Sequence, residues 1–211
     1  MPQRTDVELV TERLRITPFV ESDTLHFHAY RNEPETARFQ SWSVPYSHKD
    51  ANDFVLWASD ATLDEFSGSC QFAIRLLETD ELIGDIAILG DLSNGRQAML
   101  GYTLANRFQG HGYALEAVTA MLDHAFGEWN MHRIAADTDP RNVRSIRLLT
   151  RLGFRLEGQM LECYPDTDGS WLDSHLYAIL AREWLAARRF LSARVRLPAV
   201  SRASRVQSPR L

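Results

Sequence analysis

The residues best suited to chemistry stand in one hexapeptide, Gln109-Gly110-His111-Gly112-Tyr113-Ala114, set between an apolar segment (Met99 to Leu104) and a strongly periodic one. Two glycines at a strand-to-helix turn let consecutive backbone N–H groups converge on one anion, and the positive end of the following helix adds roughly half a unit charge of attraction. Such a turn can cradle a pyrophosphate. Two common nucleotide signatures are excluded: no Gly-x-x-x-x-Gly-Lys-Ser/Thr occurs, and Gly-x-Gly-x-x-Gly fails because Leu115 stands at the third glycine. A second pair of interest is Asn142 and Ser145, whose spacing places both groups at the first turn of one helix.

These residues need elements to hold them. Tyr113 to Phe126 is apolar at Ala114, Leu115, Val118, Met121, Leu122, Ala125 and Phe126, one buried stripe of period 3.6, and Gly127 is expected to cap it in the left-handed conformation. Ile134-Ala135-Ala136 reads as a short strand ended by Asp139-Pro140, and Asn142 opens a helix that runs to Leu152 before Gly153-Phe154. Upstream, Pro18 and Asp23 mark a turn and a helix start. Gln71 to Leu77 and Glu81 to Leu89 form a hairpin through Glu78-Thr79-Asp80, and Asn94-Gly95 turns the chain into the strand at Met99 to Leu104. Phe154 to Met160 and Leu172 to Leu180 read as further strands around the turn from Pro165 to Gly169.

The hexapeptide resembles the Gln/Arg-x-x-Gly-x-Gly/Ala signature of the GCN5-related N-acetyltransferases, met by Gln109, Gly112 and Ala114. A second phase, Arg107-x-x-Gly110-x-Gly112, also fits, but the first puts Leu104 where the family's coenzyme-binding strand ends and is adopted. Asn142 to Phe154 resembles the family's Asn-led helix closing on Gly-Phe. Leu9 to Thr17 resembles the first strand of the ribosomal-protein N-acetyltransferase branch, with its Thr-Glu-Arg-Leu phrase, and Phe39-Gln40-Ser41-Trp42 resembles a Tyr-Gln-Ser-Trp phrase of that branch. From about Leu9 to Leu180, the resemblance implies an α/β fold: a mixed, twisted sheet with splayed central strands and flanking helices. The implied activity is transfer of acetyl from acetyl-CoA, as co-substrate and without a metal, to a primary amine.

The same resemblance assigns roles. Backbone groups of Tyr102, Thr103 and Leu104 would pair with pantetheine, with an N–H near Leu104 facing the oxyanion. Gln109, Gly110, His111, Gly112, Tyr113 and Ala114 would hold the pyrophosphate. Asn142 would reach the pantetheine amide and Ser145 the thioester sulfur, as the acid, because Leu149 stands where many relatives carry an acidic tyrosine. The base is open: Ala98 to Tyr102 lacks the glutamate many relatives place there, and Glu157, Glu162, Tyr164, Asp85 or a water chain could serve. Glu162 and Tyr164 join Ser145 as the catalytic candidates, while Asp85 reads more readily as a surface charge and Asp173 as a residue fixing the strand pair. Tyr30, Phe39 and Trp42 lie in the segment that covers the acceptor and are the substrate-binding candidates, with core packing the alternative. His26, His28 and His48 receive no role.

Composition sets the frame. A chain of 211 residues with 45% apolar content suits one domain, expected over residues 9–190 between an N-terminal segment 1–8 and a basic, flexible tail 191–211. No run approaches the ~18 apolar residues of a membrane span and the N-terminus lacks an apolar signal core, so a cytoplasmic location without membrane partners is expected. Cys70 and Cys163 have no metal-like spacing with histidine and read as packed thiols. Residues 182–211 carry eight arginines against one acid, Glu183, leaving 15 basic and 27 acidic residues in the body. Those arginines are not interleaved with aromatics, so nucleic-acid binding is not expected. From Glu21 to Glu65 nine acids face three bases, an excess that would steer cationic amines if it lined the entrance. The acceptor stays open between a protein N-terminus and a small cationic amine such as an aminoglycoside or polyamine. A non-catalytic acyl-CoA-binding sensor is the reading from another class, and pairing into a homodimer through the sheet is compatible with the resemblance.

Overall fold

The computed structural model describes residues 7–60, 68–91, 96–166 and 169–194. Eight strands form one sheet in the order β1-β2-β3-β4-β5-β6-β8-β7: β1 (Leu9–Val10), β2 (Leu14–Pro18), β3 (Gly68–Leu76), β4 (Leu82–Asp91), β5 (Gln97–Leu104), β6 (Arg133–Thr138), β7 (Arg155–Pro165) and β8 (Trp171–Leu180). All neighbouring pairs are antiparallel except β5 with β6. Parallel neighbours require a crossover, which helix α4 (Tyr113–Gly127) supplies. Helices α1 (Thr24–Arg31), α2 (Pro34–Ala37) and α3 (His48–Asp60) lie between β2 and β3, α5 (Val143–Arg151) follows β6, and α6 (Ala181–Arg194) follows β8.

The parallel pair forms the cleft. β5 and β6 pair only from Gln97–Met99 against Arg133–Ala135, whereas β5 stays paired with β4 as far as Leu104 and β6 with β8 as far as Thr138. Beyond Met99 the two strands therefore part, which is the splayed centre expected from the sequence.

Strand alternation sorts the residues beside this gap. Ile16, Phe72, Ile74, Ile86 and Leu100 join the core under α4, together with Leu149 and Leu152 near the end of α5. The opposite face carries the row Thr17, Ala73, Asp85, Thr103 and is covered by α1 and α3 through Phe27, Tyr30, Ala51 and Val55. Phe27 is fully buried and stacks on Phe54 with centroids 4.7 Å apart, a burial worth about 1.5–3 kcal/mol.

Several expected boundaries shift. The single strand at Leu9 to Thr17 is two strands, because Thr11 donates its N–H to the Leu14 carbonyl while its hydroxyl oxygen accepts the Leu14 N–H, and this turns the chain so that Leu9 pairs with Ile16. Gly127 remains the last helical residue of α4, and the left-handed residue is Asn130, at φ 52°. The N–H groups of Glu128 and Trp129 still bond the His124 carbonyl, so the left-handed turn to β6 comes three residues later than glycine suggested. The expected domain edge at residue 190 falls inside α6, and buried Val7 joins the core from within the expected N-terminal segment. The Asn94-Gly95 turn and residues 195–211 of the tail lie outside the described residues.

Candidate active site

The hexapeptide has the backbone a phosphate cradle needs. Gly110 and Gly112 adopt φ of 81° and 84°, and Gly112 is the N-cap of the 15-residue α4. Nothing lies within 4 Å of where a Cβ on Gly110 would be, so the cradle is open there. Gln109 is held from both ends: its Nε2 donates to the Leu104 carbonyl at 2.9 Å, and its Oε1 accepts from Arg144 Nη1 at 2.6 Å. The loop is thereby fixed to the end of β5 and to α5 on the other side of the gap.

Along β5, the backbone decides which groups face the gap. The Ala105 N–H donates to Ile83 on the β4 side, and the Thr103 carbonyl approaches Gly84 so closely that a Cβ there would lie 2.1 Å from it. Because backbone groups alternate along a strand, the N–H groups of Tyr102 and Leu104 point toward the gap and those of Thr103 do not. The Thr103 backbone serves β4 and its buried side chain sits on the Asp85 face, so of the three residues Tyr102 and Leu104 are the two whose N–H groups face the gap.

Asn142 caps α5, its Oδ1 accepting the Ser145 N–H at 3.1 Å, which leaves its amide N–H₂ for another partner. The Ser145 hydroxyl lies 2.8 Å from the Tyr102 hydroxyl. Burial pushes the Tyr102 phenol up to about 12, and the bond to Ser145 acts in the opposite direction. The Tyr102 side chain was not singled out in the sequence. Its signal, a tyrosine facing the same side of the sheet as an Asn-led helix, appears only once the strand register is known.

Glu162 and Tyr164 follow on β7, around a bulge between Met160 and Tyr164. Glu162 is exposed at φ 47°, and its N–H donates to Asp173 Oδ1 at 2.8 Å, the strand-fixing role expected of that aspartate. Tyr164 donates to Asp137 Oδ2 at 2.9 Å on the splayed arm of β6. Desolvation, with that bond and the aspartate's charge, pushes its phenol up to about 12. Glu157 stands at the closed end instead: bonds from Arg133, at 3.0 and 2.5 Å, and from Arg155 hold its carboxyl below the usual range, so it does not serve the gap as a base.

The acceptor face departs most from expectation. Asp85 is not a surface charge: 1% exposed, it accepts from the Tyr30 hydroxyl at 2.5 Å and from Gln71 Nε2, and Arg31 Nη2 lies 3.4 Å away. Tyr30 follows the core-packing alternative. It is 2% exposed, packed against Phe27, and its hydroxyl is committed to Asp85. Burial, then the Asp85 charge, drives its phenol well above its ordinary value. Trp42 is half-buried, its ring 3.6 Å from the Arg31 guanidinium and its Nε1 donating to the Arg31 carbonyl at 2.9 Å, while Phe39 is half-buried beside Arg38. Burial acts to raise Asp139, which follows β6, but bonds from Arg141 and the charges of Arg141 and Arg38 outweigh it and hold its carboxyl below the usual range. His28 stacks on His48 at 3.6 Å, tying α1 to α3.

A sheet split between parallel neighbours, a glycine cradle at the split and exposed strand N–H groups beside it define an acyl-CoA-dependent transferase. Residues 13–155 match the acetyltransferase (GNAT) domain, and the chain belongs to this family, whose members are acetyl-CoA-dependent N-acetyltransferases. It is 33% identical over 177 residues to an uncharacterized N-acetyltransferase, p20, of Bacillus licheniformis, covering 83% of this chain and 97% of that protein. To the [ribosomal protein uS5]-alanine N-acetyltransferase of Escherichia coli it is 39% identical over 121 residues, 56% of this chain and 61% of that enzyme. Among solved structures it is similar to Mycobacterium smegmatis RimJ in complex with CoA-disulfide, with TM-score 0.75 and 25% identity over 92% of this chain and 97% of that one. Among the described residues no helix is long and apolar enough to cross a membrane.

Proposed function

We propose that this enzyme acetylates the α-amine of a protein N-terminus. The observation that carries the reading is that four carboxylates on the acceptor side are already bonded within the fold. Asp23 binds Arg75 at 2.6 and 2.5 Å, Asp85 is held by Arg31, Tyr30 and Gln71, Asp53 faces Lys49, and Glu33 caps Thr36 and the Asn106 N–H. A polyamine or aminoglycoside needs several uncompensated carboxylates converging on one pocket, and these acids are already engaged. A single amine makes no such demand. The similarity to an enzyme named for acetylating ribosomal protein uS5 supports the same class of acceptor.

Acetyl-CoA supplies an activated thioester, and the chain supplies the rest. Gly110 to Ala114 bind its pyrophosphate through backbone N–H groups, and Asn142 orients the pantetheine arm through its remaining amide hydrogens. The Leu104 N–H stabilises the oxyanion formed on amine attack. Ser145, backed by Tyr102, donates a proton to the departing thiolate. Glu162, directly or through water, takes the proton from the amine, or Tyr164 takes it while passing its own hydroxyl proton to Asp137.

The test is thiol release with a panel of acceptors: a short peptide with a free alanine N-terminus, its N-blocked form, spermidine and an aminoglycoside. The free peptide is expected to react at a kcat/KM at least tenfold above the polycations, with the blocked peptide inert. A preference for spermidine would overturn the acceptor assignment. Tight acetyl-CoA binding with no turnover of any amine would instead favour a sensor.

A further inference from the structure

The first residue of the family match, Arg13, lies in the turn before β2, 96 positions before Gln109, yet it touches the cradle at three consecutive residues. Its Nη1 donates to the His111 carbonyl at 3.0 Å, its Nη2 lies 3.4 Å from where a Cβ on Gly112 would stand, and its guanidinium carbon sits 4.5 Å over the Tyr113 ring. The fork is aimed by Glu116. Nε and Nη2 of Arg13 each lie 2.7 Å from Glu116 Oε2, while Oε1 accepts the Arg13 N–H at 2.8 Å and the Thr11 hydroxyl at 2.6 Å. Glu116 is 7% exposed, but the Arg13 side chain is 43% exposed. Two of the five guanidinium N–H groups are left over by these contacts.

We propose that Arg13 is a coenzyme-binding residue that presents its guanidinium to the pyrophosphate, with Glu116 as the residue that positions it. The inference rests on the cradle reading above. Its physical necessity comes from Glu116 itself. A buried carboxylate one turn into α4 opposes an incoming pyrophosphate, reversing much of what the helix N-terminus offers. Arg13 cancels that charge and keeps N–H donors free for a phosphate oxygen. Lysine could cancel the charge but could not hold Glu116, the His111 carbonyl and a phosphate together.

Binding of CoA, dephospho-CoA and pantetheine to wild type, Arg13→Gln and Arg13→Lys decides the matter, pantetheine being followed by displacement of a labelled CoA. Arg13→Gln is expected to weaken CoA and dephospho-CoA alike by 10- to 100-fold and to flatten the salt dependence of CoA binding, leaving pantetheine unchanged; Arg13→Lys should fall between. If Arg13 merely staples the turn to the helix, the loosened cleft loses pantetheine as well as CoA, and the proposal is overturned. It is overturned too if the loss vanishes with dephospho-CoA, which would place the guanidinium on the 3′-phosphate, or if folded Arg13→Gln binds CoA like wild type. A wild type that binds CoA no more tightly than pantetheine would instead remove the cradle reading itself.

Discussion

The hydroxyls of Tyr102 and Ser145 meet at 2.8 Å, one from the strand that bounds the cleft and the other from the first turn of the helix across it. Since Asn142 receives the Ser145 N–H, the serine is held at its backbone and at its side chain by different elements. Ser145→Ala is expected to lower kcat by about 10²-fold with little change in acetyl-CoA affinity, because the proton is needed only as the thiolate leaves. Tyr102→Phe should cost about tenfold, the loss of one hydrogen bond that aligns the donor. Steady-state kinetics on both and on the double variant check this: combined losses well short of the product would show the two acting as one unit.

The pH dependence follows from the same pair. Tyr102, raised to about 12 by burial, stays protonated through any practical assay range, so no falling alkaline limb is expected below pH 10. The rising limb belongs to the acceptor. An α-amine titrates near 7.7–8.0, so kcat/KM should climb about tenfold per pH unit below that range and level off above it. A rise that continues to pH 10 would instead signal an alkyl ammonium acceptor near 10.4.

Sequence patterning located the glycine turn at Gly110 and Gly112, α4, the Asn-led α5 and the hairpin of β3 and β4, because each is written in a local period or a turn residue. Gly153 at φ 91° and Asp80 at φ 59° stand where Gly-Phe and Glu-Thr-Asp put the turns. What stayed hidden depends on partners far along the chain. Asp85 reads as an ordinary strand aspartate until α1, 54 and 55 residues earlier, places Arg31 and Tyr30 over it. Arg13 and Glu116 meet across 103 residues. Tyr30 stood open between a pocket wall and core packing, since an aromatic near the acceptor segment carries no local mark of which face it covers.

Gly112→Val tests the cradle. A β-branched side chain strongly disfavours φ 84°, and the new atoms would press on the Arg13 guanidinium. Acetyl-CoA affinity is expected to fall tenfold or more, roughly 1.4 kcal/mol, in calorimetric titration of the folded variant. Unchanged affinity would exclude the loop as the phosphate site.

Removal of the Asp85 carboxylate should be felt first in stability. Asp85→Ala leaves the 7%-exposed Arg31 side chain without its carboxylate and the buried Tyr30 hydroxyl without its acceptor, at a cost of about 3–5 kcal/mol in denaturant unfolding. Asp85→Leu combined with Arg31→Met removes both charges, so it should cost less than the two single changes added together. Additive losses would mean that the ion pair is not what couples α1 to β4.

Gly84 marks the place where β4 supports the open arm of β5. It pairs with Leu104, and a Cβ would fall 2.1 Å from the Thr103 carbonyl oxygen, 2.8 Å from Leu104 Cδ2 and 3.0 Å from Leu104 Cα. Two of those contacts are backbone, which cannot rotate away as a side-chain end can. Gly84→Ala must therefore push β5 off β4 beside the Leu104 N–H that faces the gap. The expected cost is about 3 kcal/mol in stability, the upper end for overpacking. In protein that still folds, kcat should fall more than acetyl-CoA affinity, because the displaced N–H acts chiefly on the oxyanion while the cradle at Gly110 and Gly112 is intact. Denaturant unfolding and steady-state kinetics on the same preparation measure both quantities. A stable variant with normal kcat would show that the strand end can move without disturbing the N–H, and that the oxyanion contact lies elsewhere.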